Sequence, residues 1–240
     1  MAAAKPKTTT ILPESWEHVV RSLQTGFLKG NYVRVINYHN TPKGKTALYE
    51  RQLAFYQRYF SAANEQDIDR FFDTGVWHKD KPGLILNFFE GYRNNFEIGA
   101  PLAEAYGFVG WFFLPIGFMS IAISEQESYA EQNDIGLVDD GYADGRIAMT
   151  WDEVRELDKN HVIACHTQNH QRLTRDSSDE ELEREICLSK LELERELGHK
   201  VATFCWLYGA EVGVNPRADQ YLHKAGYKYL LSNFKIQKLK

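Results

Sequence analysis

Short runs of apolar residues alternate with amphipathic segments along most of the chain. The amphipathic segments repeat their apolar positions at helical spacing, around 45–62, 94–106, 151–159, 179–197 and 217–225. The apolar runs have the length of strands and are Val33–Asn37, Leu84–Phe88, Phe108–Leu114, Val162–Cys165, Val201–Leu207 and Tyr227–Leu231. This alternation predicts an α/β fold, in which helices cover a parallel sheet or barrel.

The clearest helix signal covers Asp179–Leu197. Ser178 followed by Glu181 forms a capping box, and Gly198 stands where a C-terminal cap belongs. Apolar residues recur on one face of this segment, at Leu182, Ile186, Leu193 and Leu197. The many charged residues on its remaining surface are typical of a solvated face, so we assign no function to them.

The segment 124–145 interrupts the alternation. It contains seven acidic residues and no Lys or Arg, and its glycines and lack of periodicity predict a loop inserted into the domain. Long loops on compact domains are either functional lids or ordinary solvated insertions, and we favour the second. We interpret the string Asp139-Asp140-Gly141-Tyr142 as a turn, because Asp-Gly pairs mark turns.

Length and composition indicate one globular domain. The chain has 240 residues, of which 43% are hydrophobic, and this is enough to fill one β/α barrel. We predict a flexible tail at 1–12, which is basic and Thr-rich, and a single domain at 13–240. The net charge of −5 and the lack of a Lys/Arg stripe argue against a nucleic-acid partner.

Neither a membrane span nor an export signal is expected. The most apolar stretch, Phe108–Ile123, is shorter than the roughly 20 residues that cross a bilayer, and residues 1–10 lack the apolar core of a signal peptide. Cys165, Cys187 and Cys205 are an odd number at wide spacings, which favours buried free thiols over disulfides or a paired-cysteine zinc site. We therefore expect a cytoplasmic protein, and the sequence leaves its oligomeric state open.

Two histidines follow a predicted buried strand. His166 and His170 lie four residues apart, and their side chains converge on one cation if the chain makes a helical turn there. Imidazole is a preferred ligand of zinc, and β/α barrels place their sites at the carboxyl ends of strands. The spacing alone is weak, because two surface or capping histidines give the same pattern.

Four strings of residues along the chain together resemble the motifs of one protein family. Phe88-Phe89-Glu90-Gly91-Tyr92 resembles the family's first motif, a strand that ends in Thr-Phe-Asp-Asp-Gly-Tyr. His166–His170 resembles the second motif, His-Thr-x-x-His, Phe204–Gly209 is similar to the third, and Val35–His39 is similar to the opening strand. The resemblance, which is to the polysaccharide deacetylase family or NodB-homology domain, runs from about residue 33 to 232 and implies a distorted (β/α) barrel.

The resemblance also implies a divalent-metal site, often zinc in this family. Glu90 stands at the position of the metal-binding Asp, and His166 and His170 complete the implied ligand set. Phe89 stands at the position of the catalytic base and cannot accept a proton. Two alternatives remain open at this point. Glu90 either binds the metal or acts as a base beside two histidines, and His39 either faces the site and the substrate or is a satisfied histidine at a strand end.

Aromatic residues near the third motif are the implied substrate contacts. In the family a backbone N–H near the position of Tyr208 assists catalysis by stabilising the oxyanion, and we expect the rings of Tyr208 and Trp206 to approach a bound sugar. Strand aromatics are more often core residues, which is what we expect of Trp111, Phe112 and Phe113.

The implied function is metal-dependent hydrolysis of a carbon–nitrogen bond other than a peptide bond. The expected reaction is deacetylation of an N-acetylated sugar or polysaccharide, so the partner is a small molecule or an oligosaccharide. The alternative is a catalytically impaired pseudoenzyme of the same fold that binds a saccharide or a protein, because Phe89, Cys205 and Leu207 depart from the family motifs. A third possibility is that the same fold and metal serve a reaction on a small molecule that is not a sugar. The family's late Leu-His motif has no counterpart, and we expect His223 to face solvent.

Overall fold

The core of the computed structural model, which describes residues 30–138 and 140–239, is one sheet. Its eight strands are β1 (Val33–Tyr38), β2 (Ser61–Ala62), β3 (Gly83–Phe89), β4 (Gly110–Leu114), β5 (Val162–Cys165), β6 (Thr203–Cys205), β7 (Tyr229–Leu231) and β8 (Ile236–Lys238). The predicted tail at 1–12 lies outside the described residues. Asp139 also lies outside them, so the turn predicted at this position stays a prediction.

The strands form a mostly parallel sheet that curves into an open barrel. Their order is β1-β3-β4-β5-β6-β7-β8, with β2 paired to the start of β3. Of the described strand pairs, only β7–β8 is antiparallel. The carboxyl ends of the parallel strands therefore meet at one end of the barrel, which is where such folds place their sites. With the surrounding helices, this sheet confirms the predicted distorted (β/α) barrel.

Helices connect the strands and cover the outside of the sheet. They are α1 (Thr46–Tyr59), α2 (Glu65–Thr74), α3 (Ala100–Ala105), α4 (Ile116–Ser120), α5 (Gln126–Gln132), α6 (Trp151–Leu157), α7 (Asp179–Leu182), α8 (Ser189–Leu197) and α9 (Pro216–Ala225). Two π-helical turns, Asn95–Gly99 and Glu183–Leu188, lead directly into α3 and α8. Shorter 3-10 turns lie at Lys43–Lys45, Ile123–Glu125 and Leu207–Gly209.

The six predicted strands are confirmed in order, with ends that differ by a few residues. β5 has the predicted bounds, whereas β6 keeps only the centre of the predicted run. β2 and β8 were not predicted, because β2 has two residues and β8 contains one apolar side chain. The helix predicted over Asp179–Leu197 forms, and its capping box at Ser178 is present, but the π-helical turn Glu183–Leu188 interrupts it.

The acidic segment 124–145 is not the continuous loop that its composition predicts. Its first part forms α5, which buries Gln126 and Ala130. Gln126 Oε1 accepts hydrogen bonds from the backbone N–H groups of Ile147 (2.8 Å) and Ala148 (3.1 Å), which fix the helix to the chain that follows it. The helix has no apolar stripe, since its buried residues are small or polar, and hydrophobic periodicity therefore does not detect it.

Side chains on both faces of the strands are buried. In β3, Leu84, Leu86 and Phe88 pack against the helices, whereas Ile85 and Phe89 belong to the cluster inside the barrel. That inner cluster also contains Trp111, Phe113, Cys205, Tyr229 and Leu231. The predicted burial of Trp111, Phe112 and Phe113 is confirmed, because none of the three is accessible to solvent. The barrel interior is therefore filled, and a ligand has access only at its end.

The remaining structural predictions concern isolated residues. All three cysteines are free and buried, as predicted. Burial raises the pKa of the Cys165 and Cys205 thiols, so neither is a ready nucleophile. His223 is exposed on α9, also as predicted. Within 30–138 and 140–239, no helix combines the length and the hydropathy that a bilayer crossing requires.

Candidate metal centre

Three metal-ligating side chains converge at the carboxyl end of the barrel. Glu90 directly follows β3, and His166 directly follows β5, with His170 four residues later. All three are buried, and one ligand atom of each lies within 4.8 Å of the other two. Glu90 Oε1 is 3.5 Å from His170 Nε2 and 4.0 Å from His166 Nε2. The structure therefore brings together the three residues that the sequence proposed as ligands.

The two histidines converge without the helical turn that their spacing would allow. The chain from His166 to His170 is a bent loop, and Thr167 (φ 69°) and His170 (φ 53°) have left-handed backbone conformations. Left-handed conformations of this kind are unfavourable for residues other than glycine and persist only where the surroundings enforce them. A buried carboxylate, Glu185, provides that constraint.

Glu185 lies on the π-helical turn Glu183–Leu188 and has no solvent-accessible surface. Its Oε2 atom accepts hydrogen bonds from the backbone N–H groups of Gln168 (2.9 Å) and Asn169 (2.8 Å), and its Oε1 atom accepts one from Asn169 Nδ2 (3.0 Å). Charge-assisted bonds of this kind are the stronger class of hydrogen bond. Sequence reasoning placed Glu185 on a solvated face and missed its role in shaping the histidine loop.

Each histidine has a carbonyl partner on the ring nitrogen that faces away from the site. His166 Nδ1 donates to the carbonyl oxygen of Cys205 (2.8 Å), and His170 Nδ1 donates to that of Asn133 (2.7 Å). A carbonyl only accepts, so each Nδ1 carries the proton and each Nε2 keeps its lone pair for a cation. Burial lowers the pKa of His166 to about 3, so this ring is neutral at pH 7. Asn133 follows α5, so the acidic segment supplies one of these orienting groups.

A left-handed turn places the Glu90 carboxylate. Glu90 (φ 61°) and Gly91 (φ 68°) both have positive φ, and Asn95 Nδ2 fixes the preceding carbonyl of Phe89 at 3.0 Å. Burial alone would raise the pKa of Glu90, but its contacts with His170 and His39 outweigh that effect and lower the pKa to about 2. Glu90 is therefore a buried anion at neutral pH, which is the condition that a cation ligand requires.

His39 lies beside the Glu90 carboxylate and lines the cavity of the site, so it is not a strand-end histidine that is satisfied elsewhere. Its Nδ1 atom is 2.8 Å from Glu90 Oε2, the oxygen that does not face the two other histidines. Its ring stacks on Phe89 at 5.4 Å and is 66% exposed to solvent. The hydrogen bond with Glu90 raises the pKa of His39 against the opposing effect of burial. His39 thus orients the carboxylate from the solvent side.

Phe89 occupies the position at which the family motif has an acid. Its ring is buried and lies 5.2 Å from Phe113 and 5.1 Å from His166, between centroids. It belongs to the hydrophobic cluster inside the barrel. Phe89 therefore forms an apolar wall against the histidines and contributes no proton acceptor.

A cavity of about 380 Å³ opens over the three ligands. Trp206 is buried and contributes one wall, where its ring packs on Phe204 at 4.6 Å. Tyr208 has a left-handed backbone (φ 58°) and is 63% exposed at the rim of the cavity. Its hydroxyl donates to Asp134 of the acidic segment at 2.6 Å. The cavity is therefore bounded by the third motif on one side and by the chain after α5 on the other.

The donor set fits a divalent cation such as zinc. The Oε1 atom of Glu90 lies 3.5–4.0 Å from the two imidazole Nε2 atoms. Ligand atoms that each lie about 2.0–2.2 Å from a shared metal are separated by distances of this size. Three protein ligands with an open cavity on the fourth side are the pattern of catalytic rather than structural zinc sites. A cation would also compensate the buried Glu90 carboxylate.

Solved structures of deacetylases have a similar fold. The de-N-acetylase from Aggregatibacter actinomycetemcomitans is 18% identical, with a TM-score of 0.64 over 86% of this chain and 90% of that one. IcaB from Ammonifex degensii is 15% identical, with a TM-score of 0.62 over 84% of each chain. Streptococcus pyogenes deacetylase PplD, solved in complex with acetate, is 14% identical, with a TM-score of 0.61 over 83% and 82%. At these identities the likeness concerns the fold alone.

The sequence itself carries the family assignment. No curated protein matches the chain. The family pattern described as polysaccharide deacetylase matches residues 78–230, which include Glu90, both histidines and the third motif. This match covers more than half of the chain, so the chain belongs to the polysaccharide deacetylase family.

Proposed function

We propose that this protein is a metal-dependent deacetylase that removes the acetyl group from an N-acetylated sugar or polysaccharide. The observation that carries the proposal is the convergence of Glu90, His166 and His170 at one end of the barrel, with both Nε2 lone pairs directed at the carboxylate side. Membership of the deacetylase family supports the reaction class. Zinc is the cation that this set of nitrogen and oxygen donors favours.

Glu90, His166 and His170 would bind the cation. A bound divalent cation supplies Lewis acidity, which lowers the pKa of a water molecule and polarises an amide carbonyl. The carbonyls of Cys205 and Asn133 fix the two imidazole rings, so the ligands are arranged before the cation arrives. Pre-arranged ligands reduce the reorganisation that binding requires.

His39 is the residue that we propose for proton transfer in the absence of an acid at position 89. Deacetylation adds water across the acetamide C–N bond, so one proton of that water must reach the departing amine. His39 Nδ1 is engaged with Glu90, while His39 Nε2 has no partner among the described residues and belongs to an exposed ring. His39 Nε2 would accept the proton of the water and return it to the amine nitrogen.

Tyr208 and Trp206 are the proposed substrate contacts. The backbone N–H of Tyr208 is the proposed donor to the oxyanion, which forms when the acetamide carbonyl is attacked. The rings of Tyr208 and Trp206 face the same cavity, and aromatic surfaces of this kind stack on sugars. Asp134 fixes the Tyr208 ring through the hydroxyl and limits its motion at the rim.

Acetate release from chitotetraose tests the proposal. The protein is stripped with a chelator, reloaded with zinc and assayed, with His170→Ala as the ligand variant and His223→Ala as the matched control. Zinc-dependent release by the unaltered protein and by His223→Ala, but not by His170→Ala, is the expected result, because His223 is exposed on α9 and lies outside the site. Release that is unaffected by chelation or by His170→Ala would contradict the proposal.

The pseudoenzyme is the second candidate, and Phe89 is the observation that favours it. If the zinc-loaded protein binds chitotetraose but releases no acetate, while Phe89→Asp releases it, the scaffold is a sugar-binding protein whose chemistry is disabled at that position. Acetate release by the unaltered protein contradicts this alternative.

A further inference from the structure

A second cavity adjoins the metal centre and is bounded by two arginines. It has a volume of about 330 Å³ and shares Trp206, Leu207 and Tyr208 with the cavity over Glu90. Arg172 and Arg175 contribute to its wall. The two cavities therefore lie on either side of the Tyr208 segment.

The charge of this second cavity is not balanced by the residues around it. Neither Arg172 nor Arg175 forms a salt bridge with a residue in the described ranges. The acidic residue of the cavity wall, Glu211, is already paired with Lys235 at 2.7 Å. Two guanidinium groups thus face one cavity of a chain whose net charge is −5.

The two guanidinium groups are positioned by contacts that leave donors available. Arg172 lies over the Tyr208 ring at 5.3 Å from its centroid, a cation–π contact that uses none of its N–H groups. Arg175 directs Nε and Nη2 toward the carbonyl oxygen of Val214, at 3.4 and 3.2 Å. A guanidinium has five N–H donors in a planar fork that matches a carboxylate, so both residues retain donors for an anion.

The position of the second cavity suits a neighbouring unit of the same ligand. Arg172 follows His170 by two residues, and the two cavities share Trp206 and Tyr208, so the second cavity lies directly beside the metal centre. An acetamido group at the metal ligands and a negatively charged group near Arg172 therefore fit on adjacent units of one short saccharide. This step rests on the proposed function, because the acetamido group is placed at Glu90, His166 and His170.

We propose that the second cavity is an anion subsite, which selects acetamido saccharides that carry an acidic substituent next to the reacting unit. The substituent that fits the arginine forks is a sugar carboxylate, and a phosphate ester shares the same chemistry. Arg172 and Arg175 act here as specificity-determining residues and do not touch the reacting atoms.

The test is a binding comparison that does not depend on turnover. Isothermal titration of the zinc-loaded protein measures affinity for hyaluronan tetrasaccharide, in which N-acetylglucosamine alternates with glucuronic acid, and for neutral chitotetraose. Arg172→Gln and Arg175→Gln are compared with Arg70→Gln, an exposed arginine on α2 that is absent from both cavities. Inorganic phosphate is titrated beside the two oligosaccharides as the phosphate source.

Replacing either cavity arginine should weaken binding of the hyaluronan tetrasaccharide about tenfold, which is the low end for loss of a charge-assisted hydrogen bond. The same replacement should leave chitotetraose binding unchanged. Arginine-dependent binding of inorganic phosphate also supports the subsite, and it identifies a phosphate as the anion where the hyaluronan tetrasaccharide does not bind. Equal effects on charged and neutral ligands, or none on either, would overturn the proposal. If chitotetraose is deacetylated while the arginine variants change nothing, only this inference fails. If arginine-dependent binding occurs without any acetate release, only the proposed function fails.

Discussion

Replacing Glu185 should release the histidine loop without touching a metal ligand. Glu185 is fully buried and accepts hydrogen bonds from the backbone of Gln168 and Asn169. In Glu185→Ala those two N–H groups lose their acceptor. At about 1–2 kcal/mol for each partly buried group, the loss is about 2–4 kcal/mol of folding free energy. This is a substantial part of the roughly 5–15 kcal/mol that a domain typically has, so the variant should fold but unfold at a lower denaturant concentration.

The same change should weaken metal binding, because the left-handed conformations at Thr167 and His170 lose their constraint. Loss of a group that orients a metal ligand typically costs 10–100-fold in affinity, and we expect Glu185→Ala to fall in that range. Glu185→Gln keeps one acceptor oxygen for the two backbone N–H groups, so it should lose less folding free energy and less zinc affinity than Glu185→Ala.

The assay is zinc titration in competition with a fluorescent chelator, beside denaturant unfolding of the same samples. Glu183→Ala is the matched control, since Glu183 lies on the same π-helical turn but pairs with Lys224 at the surface, at 2.5 Å. It should bind zinc as tightly as the unaltered protein. If folded Glu185→Ala also keeps full zinc affinity, the buried carboxylate does not shape the site and the reasoning is refuted.

Three further predictions concern residues around Glu90. His39→Ala removes the 2.8 Å contact to Glu90 and should weaken zinc binding about 10–100-fold, measured by the same competition titration. An unchanged zinc affinity would mean that this contact does not orient the carboxylate. Phe89→Asp should raise kcat for acetate release by about 10²–10⁴-fold if the folded variant gains a working base, and a folded but slower variant would contradict this. Gly91→Ala should destabilise by about 1–3 kcal/mol, because its Cβ would lie 2.5 Å from Met119 Sδ at a backbone φ of 68°. A denaturant midpoint equal to that of the unaltered chain would show that this turn tolerates a side chain.

The sequence predicted the barrel because its central strands are buried on both faces. The run Val162–Cys165 is continuously apolar, Leu84–Phe88 is interrupted only by Asn87, and the amphipathic segments between the runs carry helical spacing. Strands that are short or polar leave no such signal, which is why β2 and β8 were not predicted. The helix α5 was missed for the same reason, since its buried residues are small or polar and form no apolar stripe.

The metal ligands were predicted from motifs, whereas the residues that shape them were not. Glu90, His166 and His170 each follow a strand or lie in a recognisable string. Glu185 and Asn133 act through hydrogen bonds across 16–17 and 37 residues of chain, and such contacts leave no local pattern. One signal for Glu185 was available, because it directly precedes Ile186, which belongs to the hydrophobic core. The contact between Arg172 and Tyr208 joins two loops that are far apart in the sequence, so it could not be predicted from the sequence either.

Metal content is the most direct test of the central claim that Glu90, His166 and His170 form one cation site. Elemental mass spectrometry of the zinc-loaded, desalted protein should find close to one zinc per chain, and His166→Ala and Glu90→Ala should lose it, while His223→Ala keeps it. Absence of bound metal from the unaltered protein, or retention of zinc by both ligand variants, would contradict the account.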